Sequence, residues 1–85
     1  MRGSKRRPRP KYLARKLLAI REQLGLTQAG MAKQLSKIPS PPDGAMISRY
    51  ERDKREPSLF ALLAYARIAG VAVDVLIDDK MKLPE

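Results

Sequence analysis

Three prolines, Pro39, Pro41 and Pro42, interrupt the chain near its middle and set the strongest limit on how it can fold. Each removes a backbone hydrogen-bond donor and biases the residue before it away from helical geometry. The stretch SKIPSPP is therefore predicted to be a loop. Any regular structure must be built from separate segments on the two sides of this loop.

Two helices are predicted before the loop. The first begins near Tyr12 and ends at Gly25, a residue type that often closes helices. Its apolar residues recur at helical spacing and form one face: Leu13, Leu17, Ile20 and Leu24. The second runs from Gln28 to about Ser36, because the hydroxyl of Thr27 is a good N-cap. Its inward-facing residues are predicted to be Met31, Ala32 and Leu35.

Two further helices are predicted after the loop. Asp43 is the favoured N-cap of the third, because Gly44 then lies at the margin of the helix; the alternative is a cap at Ser40 with Pro41 in the first turn. The third helix ends near Glu51. Ser58 is the predicted N-cap of a fourth helix that Gly70 closes. Its predicted core face is Leu59, Leu62, Leu63 and Ala66.

The last apolar segment, VAVDVLIDD, permits two interpretations. Its alternation is that of a strand, but a single strand would have no partner in this chain. A short fifth helix from about Val73 is the favoured prediction. The predicted fold is therefore all-α, a compact bundle of about five short helices with a lengthened turn between the second and third.

Length and composition exclude several classes of function. The 85 residues support one modest core, and the chain has no cysteine and no histidine. Disulfides, zinc fingers, thiol chemistry and histidine-based acid–base catalysis are thereby excluded. No cofactor or metal is expected, and an enzyme is not expected. No apolar run approaches a membrane span and no signal-peptide pattern follows the basic start, so a cytoplasmic protein without membrane contact is expected.

The positive charge is concentrated in one part of the chain. Residues 1–57 carry 15 basic and 5 acidic residues (+10), whereas residues 58–85 carry 3 basic and 4 acidic residues (−1). Such a distribution favours a polyanionic partner over an evenly solubilising surface. Residues 1–11 are predicted to be a flexible cationic arm, 12–79 the folded domain and 80–85 a tail. The arm's candidate residues for contact with that polyanion are Lys5, Arg6, Arg7 and Arg9.

Three motifs in fixed order give the sequence a specific resemblance. These are the LTQ opening of the second helix, ISRYE in the third, and REPS followed by LL and AGV. In this order they resemble the Xre/Cro-type, lambda-repressor-like helix-turn-helix family. The resemblance implies a five-helix bundle, DNA binding, transcriptional control and commonly a homodimer on a two-fold operator. The chain departs from the family between Leu35 and Ile47, which is about five residues longer than the usual short turn.

The third helix supplies the predicted base contacts. On a helix that enters the major groove by its N-terminus, the first turn and the outward face reach the bases. Here those residues are Gly44, Ala45, Ser48 and Arg49. Arg49 can pair with guanine through its rigid fork; a phosphate contact is the alternative. Ser48 can donate or accept, Ala45 can touch a thymine methyl, and Gly44 can offer only close approach.

The predicted backbone contacts surround that helix. Thr27 and Gln28 lie at the N-terminal end of the second helix, where its dipole attracts a phosphate. Arg52, Lys54 and Arg55 follow the third helix. In the connector, Lys37 is a candidate for phosphate and Ser40 for base or sugar, although a tolerated insertion is favoured slightly. Asp53 stands where many relatives have glycine, and its charge is unfavourable there unless Arg52 or Arg55 neutralises it.

The resemblance also pairs Arg21 with Glu51. We interpret the two as a partly buried structural ion pair that fixes the third helix, in preference to two unrelated surface charges. The predicted function is sequence-specific binding of double-stranded DNA by a transcriptional repressor or regulator. The alternative is an antitoxin-type protein whose main partner is another protein. An RNA-binding role is disfavoured, because the sequence lacks a KH-type loop and an aromatic stacking platform.

Overall fold

Five α-helices form the part of the chain that the computed structural model describes, residues 8–84. They are α1 (Leu13–Gln23), α2 (Gln28–Gln34), α3 (Gly44–Glu51), α4 (Leu59–Ala69) and α5 (Val73–Ile77). The all-α prediction is confirmed, and the ambiguous VAVDVLI segment is a helix. The longest helices have 11 residues, and nothing within residues 8–84 is long and apolar enough to cross a bilayer.

Side-chain caps fix where three of the helices begin. Thr27 accepts a hydrogen bond from the backbone N–H of Gly30 at 2.9 Å. Asp43, and not Ser40, caps α3 by accepting from Met46 N–H at 2.8 Å, and Ser58 accepts from Ala61 N–H at 3.1 Å. Each cap satisfies a backbone donor that has no partner inside its helix. The lengths of these short helices are therefore encoded locally.

The connector between α2 and α3, residues 35–43, begins earlier than the sequence suggests. Leu35 N–H bonds to both Met31 and Ala32 carbonyls, and Ser36 N–H bonds to Lys33 O, so the helix tightens and ends. Pro42 is buried and Ile38 packs against the core. Ser40, between them, has a left-handed φ of 50°. The connector is thus attached to the bundle at two apolar points.

One aliphatic core unites all five helices. Its members are Leu13, Leu17, Ile20, Met31, Leu35, Ile47, Tyr50, Ala61, Leu62, Tyr65, Ala66 and Leu76. The prediction for α4 is partly wrong, because Leu59 is 79% exposed and Leu63 is 36% exposed. Ala61 and Tyr65 occupy the core in their place. The segment LFALLAYARIA is apolar almost all round, so its periodicity does not select a face.

Packing of α1 sets the position of the helix pair α2 and α3. The two helices pack against each other, and α1 contacts α3, α4 and α5. Leu24, predicted to continue the inner face of α1, is 42% exposed because the helix has ended at Gln23. Gly25 follows with a left-handed φ of 69°. This turn redirects the chain into α2, as a helix-turn-helix arrangement requires.

Candidate nucleic-acid interface

The outer face of α3 presents short and cationic side chains. Ala45 and Arg49 are exposed and Ser48 is half-buried, while Ile47 and Tyr50 on the opposite face lie in the core. The Asp43 cap and the buried pair orient the helix, so the exposed face has a defined direction. Three of the four predicted base-contact residues therefore share one accessible surface.

Gly44, the fourth, differs from the other three. A Cβ atom at this position would meet the backbone N of Ala29 at 3.5 Å and its Cα at 3.6 Å. The side-chain direction of residue 44 is therefore toward α2 and not toward solvent. Gly44 allows α2 and α3 to approach closely, and only its backbone remains to face a ligand.

Arg21 and Glu51 form a bidentate ion pair beneath α3. Arg21 Nε lies 2.6 Å from Glu51 Oε2, and Nη2 lies 3.0 Å from Oε1. Their side chains are only 16% and 4% exposed. The hydrogen bonding to Glu51 raises the pKa of Arg21 above its usual value. Arg21 also donates from Nη1 to the carbonyl of Leu26 at 2.9 Å. Together these hydrogen bonds join α1 to the turn between α1 and α2 and to the end of α3.

The N-terminal end of α2 uses its side chains within the protein. Gln28 donates its amide to Glu51 Oε1 at 3.1 Å and so extends the ion pair. Thr27 is exposed, but its oxygen caps the backbone N–H of Gly30. The predicted phosphate contacts of these two residues therefore depend on the free backbone N–H groups of the helix end more than on their side chains.

A cluster of cations follows α3. Arg52, Lys54 and Arg55 are all exposed, together with Arg49 on the last turn of the helix. Cations are favourable at a helix C-terminus because they oppose its dipole. The cluster places four exposed positive charges in the last turn of α3 and directly after it.

Asp53 lies within this cluster and is neutralised by a residue that the sequence did not suggest. Arg9 Nη1 donates to the Asp53 carboxylate at 3.0 Å and to its backbone carbonyl at 2.9 Å. Asp53 has a left-handed φ of 57°, which Asp tolerates better than most residues. Of the predicted arm residues, Arg9 thus contacts the bundle, while Lys5, Arg6 and Arg7 lie outside the described residues.

The connector candidates, Lys37 and Ser40, line two different clefts. Ser40 lines a cleft of about 560 Å³ together with Asp43 and Arg55, next to α3. Lys37 lines another, of about 380 Å³, against Phe60 and Arg67 of α4. Only Ser40 therefore lies next to α3, and it does so on the side of Met46 and Tyr50 and not on the exposed face with Arg49.

Two residues with important contacts were missed by sequence analysis. The ammonium of Lys16, a residue only 7% exposed, donates to three carbonyls, those of Val75 (2.7 Å), Asp78 (3.1 Å) and Met81 (2.9 Å). Asp79 accepts from the backbone N–H of Lys11 and of Tyr12, and so holds the two residues directly before α1 from the far end of the chain. The only available signal was the position of Lys16 directly beside Leu17 on the apolar face.

Tyr65 is fully buried in the core below the ion pair. Burial raises the pKa of its hydroxyl well above the usual value, and the Glu51 carboxylate adds to the shift. Within residues 8–84 no group of acidic, histidine or cysteine side chains is arranged to hold a metal ion. The chemistry that the described surface offers is hydrogen bonding and positive charge around α3.

Comparison with known proteins identifies the architecture. The chain is similar to the solved structure of the P22 c2 repressor protein in complex with synthetic operator 9T in the presence of Tl⁺. The TM-score is 0.67 and the identity 25%, over 79% of this chain and 94% of that chain. No protein-family model and no curated protein sequence matches the chain. The fold is that of the lambda-repressor-like helix-turn-helix proteins, and the predicted resemblance is confirmed.

Proposed function

We propose that this protein binds double-stranded DNA in a sequence-specific manner and represses or otherwise regulates transcription. One observation carries the proposal: α3, a short capped helix with Arg49 exposed, is fixed by a buried ion pair in the fold of a repressor solved on its operator. An exposed helix held this rigidly can read base edges without losing conformational freedom on binding.

In this mechanism α3 enters the major groove and the cations around it contact phosphates. Arg49 pairs with guanine O6 and N7, which provides about 1–3 kcal/mol of discrimination. Ser48 hydrogen-bonds a neighbouring base, and Ala45 packs on a thymine methyl. Arg52, Lys54 and Arg55 lie along the backbone on one side of the helix, and the free N–H groups at the start of α2 hold a phosphate on the other.

Selection of binding sites from a pool of random duplex DNA tests the proposal directly. We expect a defined consensus, bound more tightly than a scrambled duplex of equal length and composition. If the pool yields no consensus while the protein binds all duplexes equally, it is a non-specific DNA-binding protein. If the protein binds no duplex at low salt, the proposed function is wrong.

Two variants separate base recognition from general attraction. Arg49→Ala should cost about 1–3 kcal/mol on the selected duplex and relax one base position, with little effect on scrambled DNA. Deletion of residues 1–7, which removes four cations (Arg2, Lys5, Arg6 and Arg7), should weaken both duplexes similarly. It should also make the slope of log affinity against log salt concentration shallower by about 0.9 for each phosphate that is no longer neutralised. Equal weakening of both duplexes by Arg49→Ala would make Arg49 a phosphate contact.

We propose further that the protein acts as a homodimer on a two-fold site. The exposed apolar side chains at the start of α4 and on α5 support this, since Leu59, Phe60 and Ile77 are 79%, 55% and 44% exposed. Ile77→Asp should lower self-association while the monomer stays folded. Val75→Asp should instead unfold the chain, because Val75 is only 9% exposed and a buried charge without a partner is strongly unfavourable. Sedimentation and thermal denaturation distinguish the two outcomes.

The antitoxin alternative draws no support from the comparisons. A regulator on DNA would be a cytoplasmic, nucleoid-associated protein of a bacterium or phage, and it would need no cofactor. A folded variant that has lost DNA affinity but still has a function in the cell would be the evidence for a partner protein.

A further inference from the structure

Residues 9–12, which the sequence assigns to the flexible arm and its junction with α1, are held at two points. At one end, Arg9 contacts both the carboxylate and the carbonyl of Asp53. At the other, the backbone N–H groups of Lys11 and Tyr12 are held by Asp79. Because contacts fix both ends, this segment follows a defined path from α1 to the turn that ends α3.

Asp53 is an unusual residue at that place. It is an anion among four exposed cations, and it has a left-handed backbone that costs any non-glycine residue free energy. The charge opposes binding to phosphates, and the backbone conformation costs folding free energy. They are explained if the carboxylate serves to hold Arg9, whose side chain is only 19% exposed in the pair.

We propose that Asp53 is a positioning residue that directs the cationic N-terminal arm to the DNA-contacting edge of the protein. The inference rests on the proposed function. Residues 1–7 are covalently attached to the segment that Asp53 holds, and seven residues span at most about 25 Å. The contact of Arg9 with Asp53 therefore fixes the place on the bundle from which these residues and their four cations extend. A single acid thus adds positive charge to the interface.

Asp53→Asn is the sharpest variant, because Asn tolerates the left-handed conformation and only the charge is removed. Simple electrostatics predicts tighter DNA binding, since an anion next to phosphates disappears. Our proposal predicts the opposite sign. Affinity for the selected duplex should fall by about two- to fivefold, the size of effect expected for an exposed ion pair. The salt dependence should become shallower by about 0.9 for each phosphate that the arm no longer neutralises.

A double-mutant cycle with Arg9→Gln shows whether Asp53 acts through Arg9. In the Arg9→Gln background, Asp53→Asn should no longer weaken binding, because no pair remains to be broken. Asp74→Asn, the same charge change at an exposed residue of α5, is the matched control and should not weaken binding in either background. Asp53→Asn binding as tightly as the unaltered protein, or more tightly, overturns the proposal.

A measurement without DNA tests the contact on its own. The chain has no cysteine, so a nitroxide on Ser4→Cys reports the position of the arm by broadening nearby amide signals. We expect broadening at residues 52–55 in the otherwise unaltered protein and its loss in Asp53→Asn. Equal broadening in both proteins overturns the positioning role. If the protein binds no duplex at all, the proposed function and this inference fail together, whereas tight binding by Asp53→Asn overturns this inference alone.

Discussion

Two anchors hold distant parts of this chain together, and they are built in different ways. The helix-turn-helix anchor is Arg21 with Glu51 and Gln28, in which charged and polar side chains meet one another. The terminal anchor is Lys16 with Asp79, in which each side chain binds backbone groups of the other end of the chain. Both join α1 to a later element, but only the first touches α3.

This difference in the bonded groups indicates different structural roles for the two anchors. Hydrogen bonds between two side chains are directional, so the Arg21–Glu51 pair holds α3 at one angle. The proposed recognition of DNA bases requires a helix that is fixed in this way. Lys16 donates to three backbone carbonyls at the end of α5 and in the segment after it. Every residue type has a backbone carbonyl, so this contact does not depend on which side chains those residues carry. We therefore expect damage to the first anchor to affect both stability and DNA binding, and loss of Lys16 from the second to affect stability alone.

The largest effect is expected from breaking the helix-turn-helix anchor. Arg21→Met or Glu51→Met should each lower the free energy of unfolding by about 3–4 kcal/mol, because a desolvated charge loses its partner. The double variant should cost much less than the sum. Urea denaturation of the four proteins gives the coupling energy, and a value of zero would mean that the pair has no structural role. At temperatures where they are folded, the single variants should also bind the selected duplex more weakly.

A smaller effect is expected from Lys16→Met. Three carbonyls lose a charged donor while the aliphatic part of the side chain is kept, which should cost about 2–3 kcal/mol. Affinity for the selected duplex should be unchanged below the unfolding transition. Lys33→Met, at an exposed lysine of α2, is the control for stability and should stay within about 0.5 kcal/mol. A drop in DNA affinity in folded Lys16→Met would contradict the separation of the two anchors.

The smallest effect is expected from Asp79 and depends on pH. The hydrogen bonds from Lys11 and Tyr12 N–H hold the pKa of its carboxyl below the usual 3.8. A lowered folded-state pKa contributes stability that is present above 3.8 and disappears as the pH falls through the lower folded value. Asp79→Asn should therefore be less stable than the unaltered protein at about pH 6, with the difference shrinking toward about pH 2.

Thermal denaturation across that pH range measures the Asp79 effect. Asp74→Asn serves as the comparison, because it makes the same change on the exposed surface of α5. A gap between Asp79→Asn and the unaltered protein that stays constant over the whole range would show that the charge of the carboxylate does not stabilise the segment before α1.

The parts of this structure that were predictable from sequence are encoded locally or by a pair of side chains. Thr27, Asp43 and Ser58 cap their helices because each precedes a helical pattern, and the prolines define the connector whatever surrounds them. The contact between Arg21 and Glu51 followed from motifs that the family resemblance supplied. For the caps and the prolines, the residue type by itself restricts the local structure; for the ion pair, the family resemblance supplied the partner.

The parts that escaped prediction depend on where backbone lies. The burial of Lys16 could not be predicted, because its partners are backbone carbonyls and no residue type marks their position. Its role becomes visible only when the position of α5 is known. Gly44 faces Ala29 only because of the crossing of α2 and α3. The buried face of α4 could not be chosen in a segment that is apolar on nearly every side. Arg9 and Asp53 are 44 residues apart in the sequence. Over such a separation the positions of charged residues do not indicate which of them will pair.

The terminal anchor brings residues 11 and 79 within hydrogen-bonding distance, so the segment that leads into α1 and the segment that follows α5 lie side by side. A domain with this geometry can be inserted into a surface loop of another protein with short linkers, since the host chain need not be pulled apart. A force applied through both ends would load the contact of Arg9 with Asp53 and the Lys16 and Asp79 hydrogen bonds first. The Arg21–Glu51 pair lies beyond these contacts, so it would be loaded only after they had broken.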